Sequence, residues 1–262
     1  MMYAMVIITI ILSIMIGLCW HEYGHMVRAR KHGVTVKKYV IGFGKPFIKW
    51  QGKKHPETTY GIAPLPFGGF CDIDAEQLDA LSYPKYVDVL SAGVIRNFIF
   101  GFILSVIGTA LILGLTYPID IVKSTVEVIF NGFSNLIQSI GLMFNPKEIA
   151  AYGGVTSQFG ATGTQIVGLG LDITKTIGVS LLTGGIMNII IGIFNLLPIP
   201  AIDGGQIVVT GICVLFKRLF NYEISNKIIM RINTFFFGLI MVYQILIFLM
   251  DFEPVRQFFL NL

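Results

Sequence analysis

The chain has 262 residues, of which 54% are hydrophobic and only 13% are charged, and its mean hydropathy is +0.75. Soluble domains carry roughly 25% charged residues, so this composition excludes an ordinary soluble protein and indicates an integral membrane protein. The formal net charge of +4 is small, and we therefore predict no nucleic-acid partner.

The first predicted element is a helix over about residues 1–25. Its first 20 residues contain no charged side chain, which is about the length that a helix needs to cross a bilayer. The run ends in His21-Glu22-Tyr23-Gly24-His25. Two histidines four residues apart share one helix face and can bind one metal ion, while the adjacent glutamate can act as base on a metal-bound water.

A small β element is predicted over about residues 36–70. Two stretches of β-favouring residues flank a turn, with Gly42-Phe43-Gly44 in the first and Gly68-Gly69 in the second. We interpret this segment as a hairpin sheet against the membrane face, whose edge could pair with an unwound substrate by strand addition. An ordinary loop is the alternative interpretation of these residues.

Further apolar runs predict three more membrane-spanning helices. With the first helix, the four spans lie at about residues 1–25, 98–117, 177–200 and 234–250. The segment 122–144 contains more polar residues and is predicted to be an interfacial or re-entrant amphipathic helix. Several glycines in the segment 145–176 favour a loop that leads into the third span. The fold class expected is therefore a mainly α, polytopic membrane protein with a single domain over 1–262.

Lysine and arginine predict the orientation in a cell membrane. Residues 26–96 carry eleven of these side chains and residues 206–233 carry four, whereas 118–176 carry three. Because basic loops stay in the cytoplasm, the first two segments are predicted to be cytoplasmic and both termini extracytoplasmic. The active site would then lie toward the cytoplasmic side. The three cysteines have no CxxC spacing and predict no disulfide framework.

Asp203 completes a candidate metal site. Glu22 is the one acidic side chain within the four predicted spans, and Asp203 lies three residues after the third span. Ionisable groups at membrane depth cost roughly 2.5–3.5 kcal/mol on insertion scales, so they persist when paired, bound to metal or functional. The prolines before Asp203 stop regular helix, and Gly204-Gly205 permit a tight backbone turn beside the carboxylate. A catalytic zinc takes three protein ligands and water, which His21, His25 and Asp203 can supply.

These two motifs resemble those of the site-two protease family of intramembrane zinc metalloproteases. The family pairs His-Glu-x-x-His on one helix with Asn-x-x-Pro-x-x-x-x-Asp-Gly-Gly on a later one, and here the second motif runs from Asn195 to Gly205. Similar short motifs of the family lie at 41–44, 66–70 and 91–97. The resemblance therefore extends over most of the chain.

The resemblance implies an enzyme and assigns a role to each site residue. His21, His25 and Asp203 would bind Zn²⁺, with Glu22 as the general base. Asn195 would hold the substrate backbone or the developing oxyanion. The β element, through Gly42, Phe43, Gly44, Gly68 and Gly69, would clamp the extended substrate. The substrates implied are single-span membrane proteins within the lipid bilayer, such as anti-sigma factors, transcription factors or signal-peptide remnants.

The chain also departs from the family pattern. Val94 stands where the family usually has proline, and Ile190 where many bacterial members have asparagine. Asn188 shares the helix face of Asn195 and either replaces that asparagine or is a helix-packing amide. The segment 118–176 is too short for the PDZ domain of many relatives, and few residues follow the fourth helix, so we expect a compact member without PDZ or CBS domain.

Two other classes of protein fit parts of the pattern. A non-proteolytic membrane scaffold or chaperone would have a degenerate site, whereas the three candidate ligands and the candidate base Glu22 are all intact here. A metal transporter would distribute its ligands along a path and often show repeated halves, whereas these ligands converge on one point beside a base.

Overall fold

The computed structural model describes residues 1–114, 118–142, 145, 147, 150–151 and 155–261. It is mainly helical, with one small sheet between the first two long helices. The helices are α1 (Met2–Lys31), α2 (Ala75–Asp79), α3 (Tyr83–Leu113), α4 (Pro118–Leu142), α5 (Val155–Gly168), α6 (Ile173–Leu196), α7 (Asp203–Phe220), α8 (Asn226–Leu249) and α9 (Glu253–Leu260). The strands are β1 (Val36–Phe43), β2 (Ile48–Gln51), β3 (Thr59–Ile62) and β4 (Leu65–Ile73).

Four of the described helices are long and apolar enough to cross a membrane, namely α1, α3, α6 and α8. This confirms the predicted polytopic, mainly α fold. The second membrane-spanning helix, α3, begins at Tyr83 rather than near residue 98. Pro84 suits the first turn of a helix, and the polar residues after it are not part of the apolar run from which the span was predicted. Residues 115–117 of the predicted second span lie outside the described residues.

The region between the second and third spans is more helical than expected. The amphipathic segment predicted at 122–144 is part of α4, and its last two positions lie outside the described residues. The glycine-rich segment expected to be a loop contains the helix α5. Gly163 of this helix serves packing, since a Cβ there would lie 2.8 Å from the Tyr3 ring and 2.9 Å from Ile7. Small residues let helices in membranes approach each other closely, which offsets their low helix propensity.

The β element is a mixed four-stranded sheet rather than a simple hairpin. Its strand order is β2-β3-β1-β4. Strand β1 pairs in parallel with β3 and antiparallel with β4, while β2 and β3 pair antiparallel. The parallel pair arises because β2 lies in the connection from β1 to β3. Consequently β1 is an interior strand, and β2 and β4 form the two edges.

The Cα positions divide into two compact units. One contains Met1–Ile11, Phe102–Ile186 and Phe235–Leu262, and the other contains Leu12–Gly101 and Met187–Thr234. The second unit holds the sheet, α7 and a buried core that joins the end of α1 to β1 and α3. The core residues are Met26, Ala29, Val34, Val36 and Val89. This core fixes the sheet against the helix that carries the two histidines.

Candidate metal centre

The structure brings His21, His25 and Asp203 together at one point. The histidines lie one turn apart on α1, and Asp203 is the first residue of α7. The two Nε2 atoms are 3.0 Å apart. Asp203 Oδ2 lies 3.1 Å from His21 Nε2 and 3.3 Å from His25 Nε2. Both imidazoles are buried, so three ligand atoms face one another away from bulk solvent.

The spacing of these atoms fits a tetrahedral zinc ion. With zinc–ligand bonds of about 2.0–2.1 Å, neighbouring ligand atoms of a tetrahedron are about 3.3 Å apart. The observed separations of 3.0–3.3 Å are close to that edge. Within the described residues, the buried Oδ2 of Asp203 makes no hydrogen bond despite its two neighbours. A buried carboxylate oxygen without a donor beside two imidazole nitrogens is the environment that a cation would complete.

His25 is oriented by a backbone carbonyl of α3. Its Nδ1 lies 2.9 Å from the carbonyl oxygen of Val89. Because a carbonyl can only accept, Nδ1 carries the proton and donates. The neutral ring therefore has its lone pair on Nε2, the atom that faces Asp203 and His21, which is the tautomer required of a metal ligand.

Glu22 is half-buried and is held by the edge strand of the sheet. Its Oε2 accepts a hydrogen bond of 3.0 Å from the backbone N–H of Cys71 on β4. Burial, and then the nearby Glu22 carboxylate, raise the pKa of the Cys71 thiol. The thiol thus stays protonated. Within the described residues, the side chains close enough together to hold one metal ion are His21, His25 and Asp203.

The start of α7 places Asp203 by close packing of backbone. A Cβ on Gly204 would lie 2.4 Å from the Leu196 carbonyl oxygen, and one on Gly205 only 1.8 Å from that of Ile199. The glycines thus permit the tight backbone path beside the carboxylate through their missing side chains, since neither has a positive φ. The left-handed residue is Ala201, with φ of 85°. The glycines instead allow the broken end of α6 to lie directly on the first turn of α7.

The residues expected to bind substrate lie at the end of the interior strand β1 and on its neighbour, the edge strand β4. Gly42, with φ of 87°, occupies a register shift of β1, and Gly44, with φ of 102°, follows the strand. These positive φ values require glycine regardless of any ligand. Phe43 is exposed and its ring lies near Gly68, while Gly69 faces the Val40 carbonyl across the β1–β4 pair. Their role toward substrate stays a prediction.

Two asparagines on α6 take different positions. Asn195 is half-buried in the last helical turn, shortly before Pro198. Asn188 is fully buried, and its Nδ2 donates to the Ser13 carbonyl oxygen at 3.0 Å. A Cβ on Gly17 would collide with the Asn188 side chain, so the amide fills the contact between α6 and α1. This favours a helix-packing role for Asn188 over a role in substrate handling.

One stripe of α3 contributes site residues that motif reasoning did not assign. Val89, Gly93 and Asn97 follow one another at helical spacing and face the two imidazoles. A Cβ on Gly93 would lie 2.5 Å from His25 Nε2 and 2.7 Å from His21 Nε2. Asn97 is fully buried with Nδ2 3.1 Å from His21 Nδ1. The signal in the sequence was the family-like motif at 91–97, which includes Gly93 and Asn97 but to which no role at the metal was assigned.

Comparison with known proteins decides the family. A model of peptidase family M50 matches residues 9–240, which is most of the chain. The chain belongs to peptidase family M50. This agrees with the resemblance to the site-two protease family, and the matched range of this M50 protein includes all three candidate metal ligands.

Curated relatives of this M50 chain are named zinc metalloproteases. Zinc metalloprotease Rip1 of Mycolicibacterium smegmatis is 34% identical over 131 residues, which are 44% of this chain and 32% of that protein. Rip1 of Mycobacterium tuberculosis is 38% identical over 106 residues, 36% of this chain and 26% of that protein. A putative zinc metalloprotease of Clostridium perfringens is 24% identical over 324 positions, covering 88% of this chain and 93% of that protein. The match thus spans about a quarter to a third of the length of these Rip1 proteins.

Proposed function

We propose that this protein is an intramembrane zinc endopeptidase. It would hydrolyse peptide bonds in transmembrane segments of single-span membrane proteins. The observation that carries this proposal is the convergence of His21, His25 and Asp203 at 3.0–3.3 Å beside Glu22. Three protein ligands with a carboxylate base next to them are the composition of a catalytic zinc site. A ligand set that meets at one point does not suit a transport path.

The proposed reaction is addition of water to the scissile carbonyl. Zinc, when bound by the three ligands, would act as a Lewis acid there and make water more acidic. Glu22 takes one proton from the attacking water. It returns that proton to the leaving amine nitrogen as the carbon–nitrogen bond breaks, so that the products are a free carboxyl and a free amine. The hydrogen bond from the Cys71 N–H holds the carboxylate beside α1 during both transfers.

The edge strand β4 is the proposed docking site for the substrate backbone. The Cys71 N–H is directed at Glu22 instead of at β1, so this edge of the sheet faces the catalytic base. A helix has no free backbone groups, and the substrate therefore has to unwind before cleavage. An unwound segment that adds to β4 by backbone pairing would extend past Glu22. Gly68, Gly69 and Phe43 lie on or beside this edge, and Asn195 would stabilise the developing oxyanion.

The proposed setting is a cell membrane with the active site toward the cytoplasm. The sheet and α7 belong to segments rich in lysine and arginine, which favours a cytoplasmic position for both. Substrates of this chemistry are membrane-tethered regulators, such as anti-sigma factors or transcription factors, and signal-peptide remnants.

The experiment that tests this function compares Glu22→Gln with the wild type on a tagged single-span substrate produced in the same cells. Glutamine keeps the shape and the acceptor toward Cys71 but removes the base. We expect a product with the wild type and a loss of at least about a hundredfold with Glu22→Gln, as is typical for general acid–base groups. Bound zinc should be unchanged, because Glu22 is not a ligand.

Glu223→Gln provides the matched control. Glu223 is exposed and pairs with Lys217 on the surface. It lies 20 positions after Asp203 and belongs to neither the ligand set nor the proposed catalytic residues. Its substitution should leave product formation at the wild-type level. Equal amounts of product with Glu22→Gln would refute the proposed function, since the cleavage would then not depend on the base.

A further inference from the structure

Asn97 has an unusual environment for a buried amide. It lies on α3 with no exposed surface, one turn after Gly93. Its Nδ2 is 3.1 Å from Nδ1 of His21. Its Oδ1 is buried and, within the described residues, has no hydrogen-bond partner. An unpaired buried acceptor costs about 1–3 kcal/mol, so its retention beside a metal ligand calls for a chemical reason.

The His21 ring requires an acceptor on its Nδ1 side if it binds a metal. Its Nε2 faces His25 Nε2 and Asp203 Oδ2, and only a nitrogen without a proton can be a ligand. In the neutral ring the proton then lies on Nδ1, which must donate. An amide NH₂ group toward Nδ1 would favour the opposite tautomer, with the proton on Nε2.

A half-turn of the Asn97 amide satisfies this requirement. The rotation exchanges Oδ1 and Nδ2 with little change in shape, and places the oxygen about 3.1 Å from His21 Nδ1. The unpartnered oxygen then accepts the Nδ1–H of His21. His25 already has the same arrangement, with the Val89 carbonyl as acceptor at 2.9 Å.

Packing holds Asn97 in reach of His21. A Cβ on Gly192 of α6 would lie 3.2 Å from the Asn97 Cβ and 3.0 Å from the Phe98 ring, so α6 closes over this part of α3. On the other side, a Cβ on Gly24 of α1 would lie 2.6 Å from the Ala92 carbonyl oxygen. The close approach of these helices leaves the amide little freedom to move away.

We propose that Asn97 is a positioning residue of the zinc site, whose Oδ1 accepts the His21 Nδ1–H and so keeps His21 Nε2 as a metal ligand. This inference rests on the proposed function, because it concerns the same zinc ion. It differs from a packing role in one respect: what the site needs from residue 97 is an acceptor, not an amide NH₂.

Zinc affinity of the purified full chain, measured in detergent by chelator competition, tests this role. Asn97→Leu removes the acceptor at similar size, and we expect zinc to bind about 10–100-fold more weakly, as for other outer-shell partners of metal-binding histidines. Asn97→Asp keeps the acceptor and removes the NH₂ group. We expect its affinity to stay within roughly threefold of wild type, or to be tighter.

Asn188→Leu is the matched control. It removes another fully buried amide, one that donates to the Ser13 carbonyl, and should lower the unfolding temperature while leaving zinc affinity unchanged. Wild-type affinity in Asn97→Leu, or a loss in Asn97→Asp as large as in Asn97→Leu, would overturn the inference. If Asn97→Leu does not fold, Asn97→Asp alone decides, with a tenfold loss as the contradicting result. Absence of zinc binding by the wild type would overturn the proposed function as well.

Discussion

Glycines determine which atoms can approach the metal ligands. Gly93 lies against both imidazoles, and Gly24 lies against the backbone of α3 at Ala92. Small residues at a helix contact let two backbones come close together, and here they bring the Val89 carbonyl and Asn97 beside His25 and His21. The site therefore depends on the absence of side chains at Gly24 and Gly93 as well as on the residues that would bind the metal.

Gly93→Ala should disrupt the metal site while leaving the fold intact. The added methyl group would lie 2.5 Å from His25 Nε2 and has to displace an imidazole. We expect at least a roughly tenfold weaker zinc affinity, comparable to the loss of an outer-shell partner. Chelator competition on the purified chain measures it.

Gly238→Ala on α8 controls for the general effect of alanine in a membrane helix. In the described part of the chain no atom lies within 4 Å of a Cβ at this position. Zinc affinity should not change, and alanine should stabilise the helix by up to about 1 kcal/mol. Equal zinc affinity in Gly93→Ala and Gly238→Ala would contradict the proposed metal position.

At the scale of elements, the sheet offers two edges with different surroundings. Strand β4 carries the N–H that binds Glu22, whereas β2 lies at the opposite edge and is exposed along its length. Both edges have unpaired backbone groups that an extended peptide can use. Only the β4 edge would deliver that peptide to the catalytic base.

Disulfide cross-linking distinguishes the two edges. In a Glu22→Gln chain without its native cysteines, Leu65→Cys on β4 should trap a substrate with single cysteines along its transmembrane segment. Trp50→Cys on β2 should not, although the two side chains are similarly exposed, at 54% and 47%. Preferential trapping by Trp50→Cys would place the substrate on the other edge and refute docking on β4.

The four membrane-spanning helices were predictable from the sequence because long apolar runs leave few alternatives in a membrane. The parallel pairing of β1 with β3 was not, since β-favouring stretches do not record which strands become neighbours. Helix α5 was missed because the glycines that allow Tyr3 to pack on Gly163 read as loop residues. Charge at membrane depth and motif spacing indicated His21, His25 and Asp203. The contributions of Gly93 and the Val89 carbonyl arise from the crossing of α1 and α3, which a local pattern does not contain.

At the scale of the whole molecule, the distribution of basic residues predicts the orientation. Among the helices that the structure describes, four are able to cross the membrane, and with these four both termini should lie on the same side. Residues 26–96 carry eleven of the 19 lysine and arginine side chains, and we expect the loop between α1 and α3 in the cytoplasm.

Cysteine accessibility in intact cells tests this orientation. In the chain without native cysteines, Leu169→Cys between α5 and α6 should react with a membrane-impermeant maleimide in intact cells. Lys53→Cys, between β2 and β3, should react only after the membrane is permeabilised. Both positions are exposed, so reactivity reports the side of the membrane. The reverse labelling pattern would place the metal site toward the outside.

Peptide hydrolysis by the purified full chain, before and after zinc removal, tests the central claim most directly. The protein is incubated in detergent with a single-span substrate, and product ends are identified by mass spectrometry. We predict cleavage within the transmembrane segment that disappears with a zinc chelator, returns on addition of zinc, and is absent in Asp203→Ala. Cleavage that persists without zinc, or in Asp203→Ala, would contradict an enzyme whose zinc is held by His21, His25 and Asp203.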